Sequence, residues 1–324
     1  MAIPHVALAV DFGGTNTRMA LVSSKGQLLE KVVCPSEDVQ NPHLFLEWIK
    51  RQSHELTERH NIPLSRVRGI GLGMPGSINP SEGLVYFLPN LPKWKNVYLV
   101  KLIQNALPLR TRIDNDGNVM ALAEHLFGAA RGYKNALFMT LGTGIGCGLV
   151  IENKLFQGST FSAAELAHMR HAYSSQTRCA CGNRGCIETA WGNKYLLRDA
   201  YAYFKGKKSL LNQWLRQNPN QKLELEMITQ AAQKGDKIAI QFWEEKAFVL
   251  GDFLAGICNL LNPEILVMGG GVMGANQLII RPLRQSIRAH AFEQASKHLK
   301  IVRAHFGKEA GIMGAASLIF CDKP

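Results

Sequence analysis

Three cysteines, Cys179, Cys181 and Cys186, fall within eight residues, and His168 stands eleven residues ahead of the first. Three thiolates and one imidazole could complete a tetrahedral Cys3His set, a donor softness that suits zinc. Four protein ligands leave no open position, so a metal held this way would be structural. The spacing is not that of a common zinc finger, and on spacing alone a metal-free cysteine-rich loop stays open. The remaining cysteines, Cys34, Cys147, Cys258 and Cys321, are isolated. In a reducing compartment a tight cluster points to a metal before a disulfide. Glu165 precedes His168 by three residues, so a helical turn would set both on one face.

Carboxylates recur where strands should end. Asp114, Asn115 and Asp116 precede Gly117 and Asn118 at a strand-to-helix junction. A carboxylate there, beside bound phosphate, could take the proton of an attacking hydroxyl. Helix capping competes, because Asp and Asn are favoured N-caps, and two aspartates leave room for both roles. Asp11, Phe12, Gly13, Gly14 and Thr15 close an apolar strand. The glycines permit positive φ and a close backbone approach, the threonine offers a hydroxyl, and Asp11 could hold hydrated Mg2+. A second turn of this kind, Gly142, Thr143 and Gly144, follows another apolar strand. It does not meet the dinucleotide pattern G-x-G-x-x-G, and a strand is expected after it. Two such turns in corresponding places suggest two hairpins flanking one phosphate chain. Gly269, Gly270 and Gly271 form a further close-approach turn, which could sit against an adenosine or simply end a strand.

These residues need elements to position them. Runs at 6–10, 19–22, 69–73, 107–113, 136–141 and 264–268 read as strands, and 44–60 and 238–261 carry helical spacing. The expected boundary of two units lies near Val119. The alternation favours an α/β architecture. The 324 residues fit two domains, 46% hydrophobic and 19% charged content is ordinary for a globular chain, and no apolar run is long enough to span a bilayer. The start lacks a signal-peptide pattern, so a cytoplasmic protein is expected. The formal charge of +12 is spread out. It reads as a solvated surface that could steer an anionic nucleotide, and no nucleic-acid or membrane partner is expected.

Taken together, the motifs resemble the ROK family (repressors, open reading frames and kinases), within the superfamily of sugar kinases, actin and heat-shock chaperone ATPases. The resemblance covers nearly the whole chain in motif order. Asp11 to Thr15 and Gly142 to Gly146 resemble its phosphate motifs, and 114–118 its catalytic segment. The Glu-x-x-His and Cys-x-Cys-Gly-x-x-Gly-Cys-x-Glu elements are highly specific to it. Gly269 to Gly271 resemble its adenosine-side turn, and 311–316 its closing helix.

What the resemblance implies is an α/β, two-lobed actin-like ATPase fold with ribonuclease H-like lobes, ATP and sugar lying in the interlobe cleft. The lobes would be 1–118, completed by a helix at about 311–324, and 119–310, with a structural zinc loop at 168–188. The implied activity is ATP-dependent phosphorylation of a hexose 6-hydroxyl. Glucose is favoured over N-acetylmannosamine or N-acetylglucosamine, and allose or fructose follows. Asp116 would be the catalytic base. Asn90, Asn115, Asp116, Glu165, His168 and Glu188 would bind sugar. Asp11, Gly13, Gly14, Thr15, Gly142, Thr143, Gly144, Gly270 and Gly271 would surround ATP and Mg2+. His168, Cys179, Cys181 and Cys186 would hold zinc, and a homodimer is implied. Ala167 stands where the family usually has Gly, a costly exchange if the position needs positive φ. A sugar-responsive repressor of the same family is the rival; its helix-turn-helix would have to precede Asp11.

Overall fold

The computed structural model describes residues 5–88, 91–172 and 174–321. In chain order the elements begin with strands β1 (Val6–Phe12), β2 (Asn16–Ser23) and β3 (Leu28–Pro35), then helix α1 (Pro42–Arg59). Strands β4 (Val67–Met74), β5 (Ser77–Asn79), β6 (Leu84–Leu88) and β7 (Leu91–Tyr98) lead to α2 (Leu99–Ala106), β8 (Thr111–Asn115) and α3 (Asp116–Leu126). Next come β9 (Ala136–Leu141), β10 (Ile145–Ile151), β11 (Lys154–Leu155), α4 (Glu188–Trp191), α5 (Asn193–Phe204), α6 (Leu210–Gln217) and α7 (Leu225–Gln233). The chain ends with α8 (Lys237–Leu261), β12 (Ile265–Gly269), α9 (Gln277–His290), α10 (Glu293–Ser296), β13 (Lys300–Arg303) and α11 (Ala310–Phe320).

One five-stranded sheet has the order β3-β2-β1-β4-β8. Its β1–β2 and β2–β3 pairs are antiparallel, and β1–β4 and β4–β8 are parallel. The other five-stranded sheet has the order β11-β10-β9-β12-β13, with β9–β12 and β12–β13 parallel and β10–β11 antiparallel. Counted from its own first strand, each sheet reads 3-2-1-4-5. The repeated Gly/Thr turns therefore occupy the same place in each, between the first and second strands. A small antiparallel sheet, β5-β6-β7, completes the strands.

Two compact units divide the chain: Met1–Gly132, Gly148–Ala164 and His305–Pro324 form the first, and Tyr133–Cys147 and Glu165–Ala304 the second. The expected boundary near Val119 is displaced because α3 belongs wholly to the first unit. The α3 residue Glu124, fully buried, accepts Phe306 N at 3.0 Å and Ala129 N at 2.8 Å. A buried carboxyl group of this kind persists only when hydrogen bonded. Helix α11 is buried along nearly its whole length and packs on β1, β4 and α3. Arg112 of β8 donates to the carbonyls of Leu318 and Cys321, which closes its C-terminal end.

Local chemistry sets the element ends. Helix α1 starts at Pro42, ahead of the expected 44, because Asn41 accepts the amides of His43 and Leu44. Helix α8 stops at Asn262, which adopts φ 43° before Pro263. Strand β8 spans Thr111–Asn115 rather than 107–113, since Leu107 caps α2 and its carbonyl accepts Leu109 N in a turn. In the first unit Phe12, Phe45, Trp48 and Trp94 pack mainly edge to face, with Phe45 and Trp48 stacked, beneath the carboxyl end of β1. No helix among the described residues is long and apolar enough to cross a membrane.

Candidate active site

The first Gly/Thr turn joins β1 to β2. Asp11, at the end of β1, is buried and pairs with Arg18 Nη1 at 3.2 Å. Burial pushes its carboxyl above the ordinary range, and Arg18 opposes that. Arg18 stands directly opposite Asp11 in the β1–β2 register. A hairpin folded about Gly14 and Thr15 requires this pairing, so the partner could have been found by counting. Gly13 N donates to Asn16 O, Gly13 O accepts the Ser36 hydroxyl at 2.6 Å, and Ser36 N donates to Thr15 O. The turn is thus held by backbone and one serine. Gly13 and Gly14 do not use the positive φ that glycine permits, nor do Gly142 and Gly144. Gly14 and Gly142 face open space.

In the same unit β8 delivers the acidic segment. Asp114 is buried, and its Oδ1 accepts Asn115 N at 2.7 Å and Asn118 Nδ2 at 2.9 Å. Gln157 Nε2 donates to its other oxygen at 2.7 Å. Burial pushes the Asp114 carboxyl up to about 6, against the three donors. Asn115 is the N-cap of α3: its Oδ1 accepts Gly117 N, and its Nδ2 donates to Gly76 O at 3.1 Å. Asp116 opens α3, three residues before the expected start, and its Oδ1 accepts Gly117 N at 2.8 Å. Capping and carboxylate presentation therefore fall on different residues. Asn90 lies outside the described residues.

The second unit holds the other Gly/Thr turn, between β9 and β10. Gly142 N donates to Gly144 O, and Gly142 O accepts Asn193 N at the start of α5. Thr143 is exposed. Gly270 follows β12 with φ 88°, and a Cβ there would lie 2.1 Å from Leu141 O. Only glycine fits that position, which brings the turn of Gly270 and Gly271 against the end of β9.

His168, Cys179, Cys181 and Cys186 present four ligand atoms within 4.8 Å of one another. Cys181 and Cys186 Sγ are 3.7 Å apart, and Cys179 Sγ lies 3.5 Å from His168 Nδ1. Sulfurs about 2.3 Å from a tetrahedral zinc would stand about 3.7 Å apart, so the set fits such an ion. Two isolated bridges, Arg170 with Cys186 and Arg178 with Arg184, tie the loop together. The other ring nitrogen of His168 points to Glu165, 3.9 Å away. Glu188 opens α4; its Oε1 lies 3.3 Å from Cys179 Sγ and its Oε2 3.4 Å from Ile145 N. Ala167 sits in a 3-10 turn spanning Leu166–His168 and has no positive φ, so no left-handed backbone cost arises there. Ala164 carries the strain instead, at φ 64°.

Two sheets of the same 3-2-1-4-5 order, each with a Gly/Thr turn between its first two strands, define an actin-like ATPase fold with ribonuclease H-like units. The ROK family model matches residues 7–321, and the chain belongs to the ROK family. A glucokinase from Thermotoga maritima is 32% identical over 315 residues, 96% of each chain. The structure of a ROK family glucokinase from Streptomyces griseus in complex with glucose and AMPPNP matches with a TM-score of 0.78 and 28% identity, over 97% of this chain and 98% of that one. A ROK family transcriptional regulator, a homologue of the Escherichia coli MLC protein, matches with a TM-score of 0.83 and 27% identity over 97% of this chain and 77% of its own.

Proposed function

We propose that this protein is an ATP-dependent sugar kinase that transfers the γ-phosphoryl group to the 6-hydroxyl of a hexose, with glucose the favoured substrate. The observation that carries the reading is the near-complete alignment with a named glucokinase, joined to an Asp116 carboxylate presented at the first residue of α3. Asp116 takes the proton from the attacking hydroxyl. Asn90, Asn115, Glu165, His168 and Glu188 hold the sugar hydroxyls and orient the nucleophile. The turns at Gly13–Thr15 and Gly142–Gly144 offer backbone amides and threonine hydroxyls to the phosphates, and Gly270 and Gly271 let the nucleoside approach closely. Bound near Asp11, Mg2+ would offset the phosphate charge that develops during transfer.

His168, Cys179, Cys181 and Cys186 would hold zinc through Nδ1 and three sulfurs. The ion's chemistry is structural, since the set is closed. Its use of Nδ1 leaves the His168 Nε2 edge, beside Glu165, for a sugar hydroxyl.

Release of ADP with Mg-ATP against glucose, N-acetylglucosamine, N-acetylmannosamine, mannose, fructose and allose tests the reading. One clear winner supports the kinase and identifies its sugar. No turnover on any of them, from a zinc-loaded folded sample, rejects this kinase reading and favours sugar sensing.

A further inference from the structure

Two residues before Asp116 stands a carboxylate that the proposed phosphoryl transfer does not use. Asp114 is 3% exposed, and both of its oxygens are occupied. Oδ1 holds the Asn115 amide and the Asn118 side chain, the residues on either side of Asp116 and Gly117. Among the described residues, Oδ2 receives one side-chain donor, Gln157 Nε2, from 43 residues further along the chain. Gln157 is fixed from its backbone as well. Its carbonyl accepts Ala163 N at 3.0 Å, which closes the loop 157–163, and the neighbouring Phe156 N donates to Leu149 O at 2.7 Å. Gly158, at φ 72°, brings its backbone against Ala163. The amide of Gln157 is therefore a prepositioned donor on a closed loop. The carboxylate it meets sets the first turn of α3.

We propose that Gln157 is a positioning residue: its hydrogen bond to Asp114 fixes the rotation of that carboxylate and thereby the placement of Asp116. The inference rests on the kinase reading, in which Asp116 is the base. With the donor removed, Oδ2 is left buried without a partner, and Asp114 must turn or recruit another group. Either response moves the Asn115 amide and the start of α3. A shift of about 1 Å at a reacting group is enough to cost up to about a hundredfold in rate.

The test compares the full-length wild type with Gln157→Met, which keeps length and removes the donor, and Gln157→Arg, which restores N–H donors. Steady-state kinetics on the preferred sugar, circular dichroism and amide hydrogen exchange are read for each. Gln157→Met should lower kcat at least about tenfold with the KM for Mg-ATP within about twofold, and the amides of Asn115 and Gly117 should exchange faster. Gln157→Arg should recover most of the lost kcat. Unchanged kcat per folded molecule in Gln157→Met would overturn the proposal. So would a loss that Gln157→Arg, folded, fails to restore. If the wild type turns over no sugar, the kinase reading fails separately. Exchange then decides: faster Asn115 and Gly117 amides in Gln157→Met support the coupling, and unchanged ones overturn it.

Discussion

Asp114 and Asp116 are two residues apart and meet opposite environments. Asp114 is buried among donors, whereas Asp116 is partly open at the first position of α3. Asp116→Asn should therefore keep the fold and lower kcat by about 10²–10⁴; near-native turnover in a folded sample would remove Asp116 from the role of base. Asp114 answers to pH. Its native carboxyl titrates at about 6, above the ordinary 3.8, because burial disfavours its charge. Between those values the native state binds the proton and the unfolded chain does not. Stability from this group is thus gained as pH falls from about 6 to 4, and lost as pH rises through that window. The unfolding free energy of the wild type minus that of Asp114→Asn, from urea titrations, should shift toward the wild type by up to about 3 kcal/mol between pH 7 and 4. A flat difference would show that Asp114 does not titrate there. At Ala164, φ 64° is a backbone cost that glycine does not bear. Ala164→Gly should raise the unfolding free energy by about 1 kcal/mol in the same titrations, and destabilisation would place the strain elsewhere.

At the scale of elements, α11 shows how an apolar helix serves a polar site. Its second residue, Gly311, lies so close to Asp11 that a Cβ would stand 2.5 Å from the carboxyl carbon. Asp11 is already paired with Arg18 and has little freedom to yield. Gly311→Ala should turn that carboxylate, raise the KM for Mg-ATP several-fold and leave the circular dichroism spectrum unchanged. An unchanged KM would show that Asp11 is not part of the nucleotide site. The elements themselves were largely readable from the sequence, because apolar runs and Asn or Pro punctuation are local. The Asp11–Arg18 pair was readable in principle from hairpin counting, and the metal set from ligand chemistry. Gln157 was not: its partner lies 43 residues away, and nothing in a glutamine after an apolar pair announces it. Whether Ala167 needed a positive φ could not be read from the sequence, since φ depends on how the turn closes and not on which residue is unusual; the positive φ falls at Ala164.

Over the whole molecule, the two units make separate claims on stability. The first unit buries its aromatic cluster about Trp94, and its described residues include no member of the Cys3His set. The second unit contains all four candidate ligands, and it contains Trp191 and Trp243, both fully buried. Among the described residues between His168 and α4, the ligand loop carries isolated bridges and turns rather than regular elements. If the set holds zinc as proposed, metal-binding free energy would become folding free energy of this segment. Removing the metal should therefore act unequally. With a strong chelator, calorimetry should show the transition of the second unit lowered by several degrees or more and that of the first unit nearly unmoved. Fluorescence assigns the transitions: a Trp48→Phe, Trp94→Phe chain reports from Trp191, Trp214 and Trp243 of the second unit alone. Its melting should follow the chelator-sensitive transition, and readdition of Zn2+ should restore it. If both transitions fall together, the metal stabilises the chain as one cooperative body. If neither moves, the four ligand atoms within 4.8 Å are a cysteine-rich loop that folds without an ion.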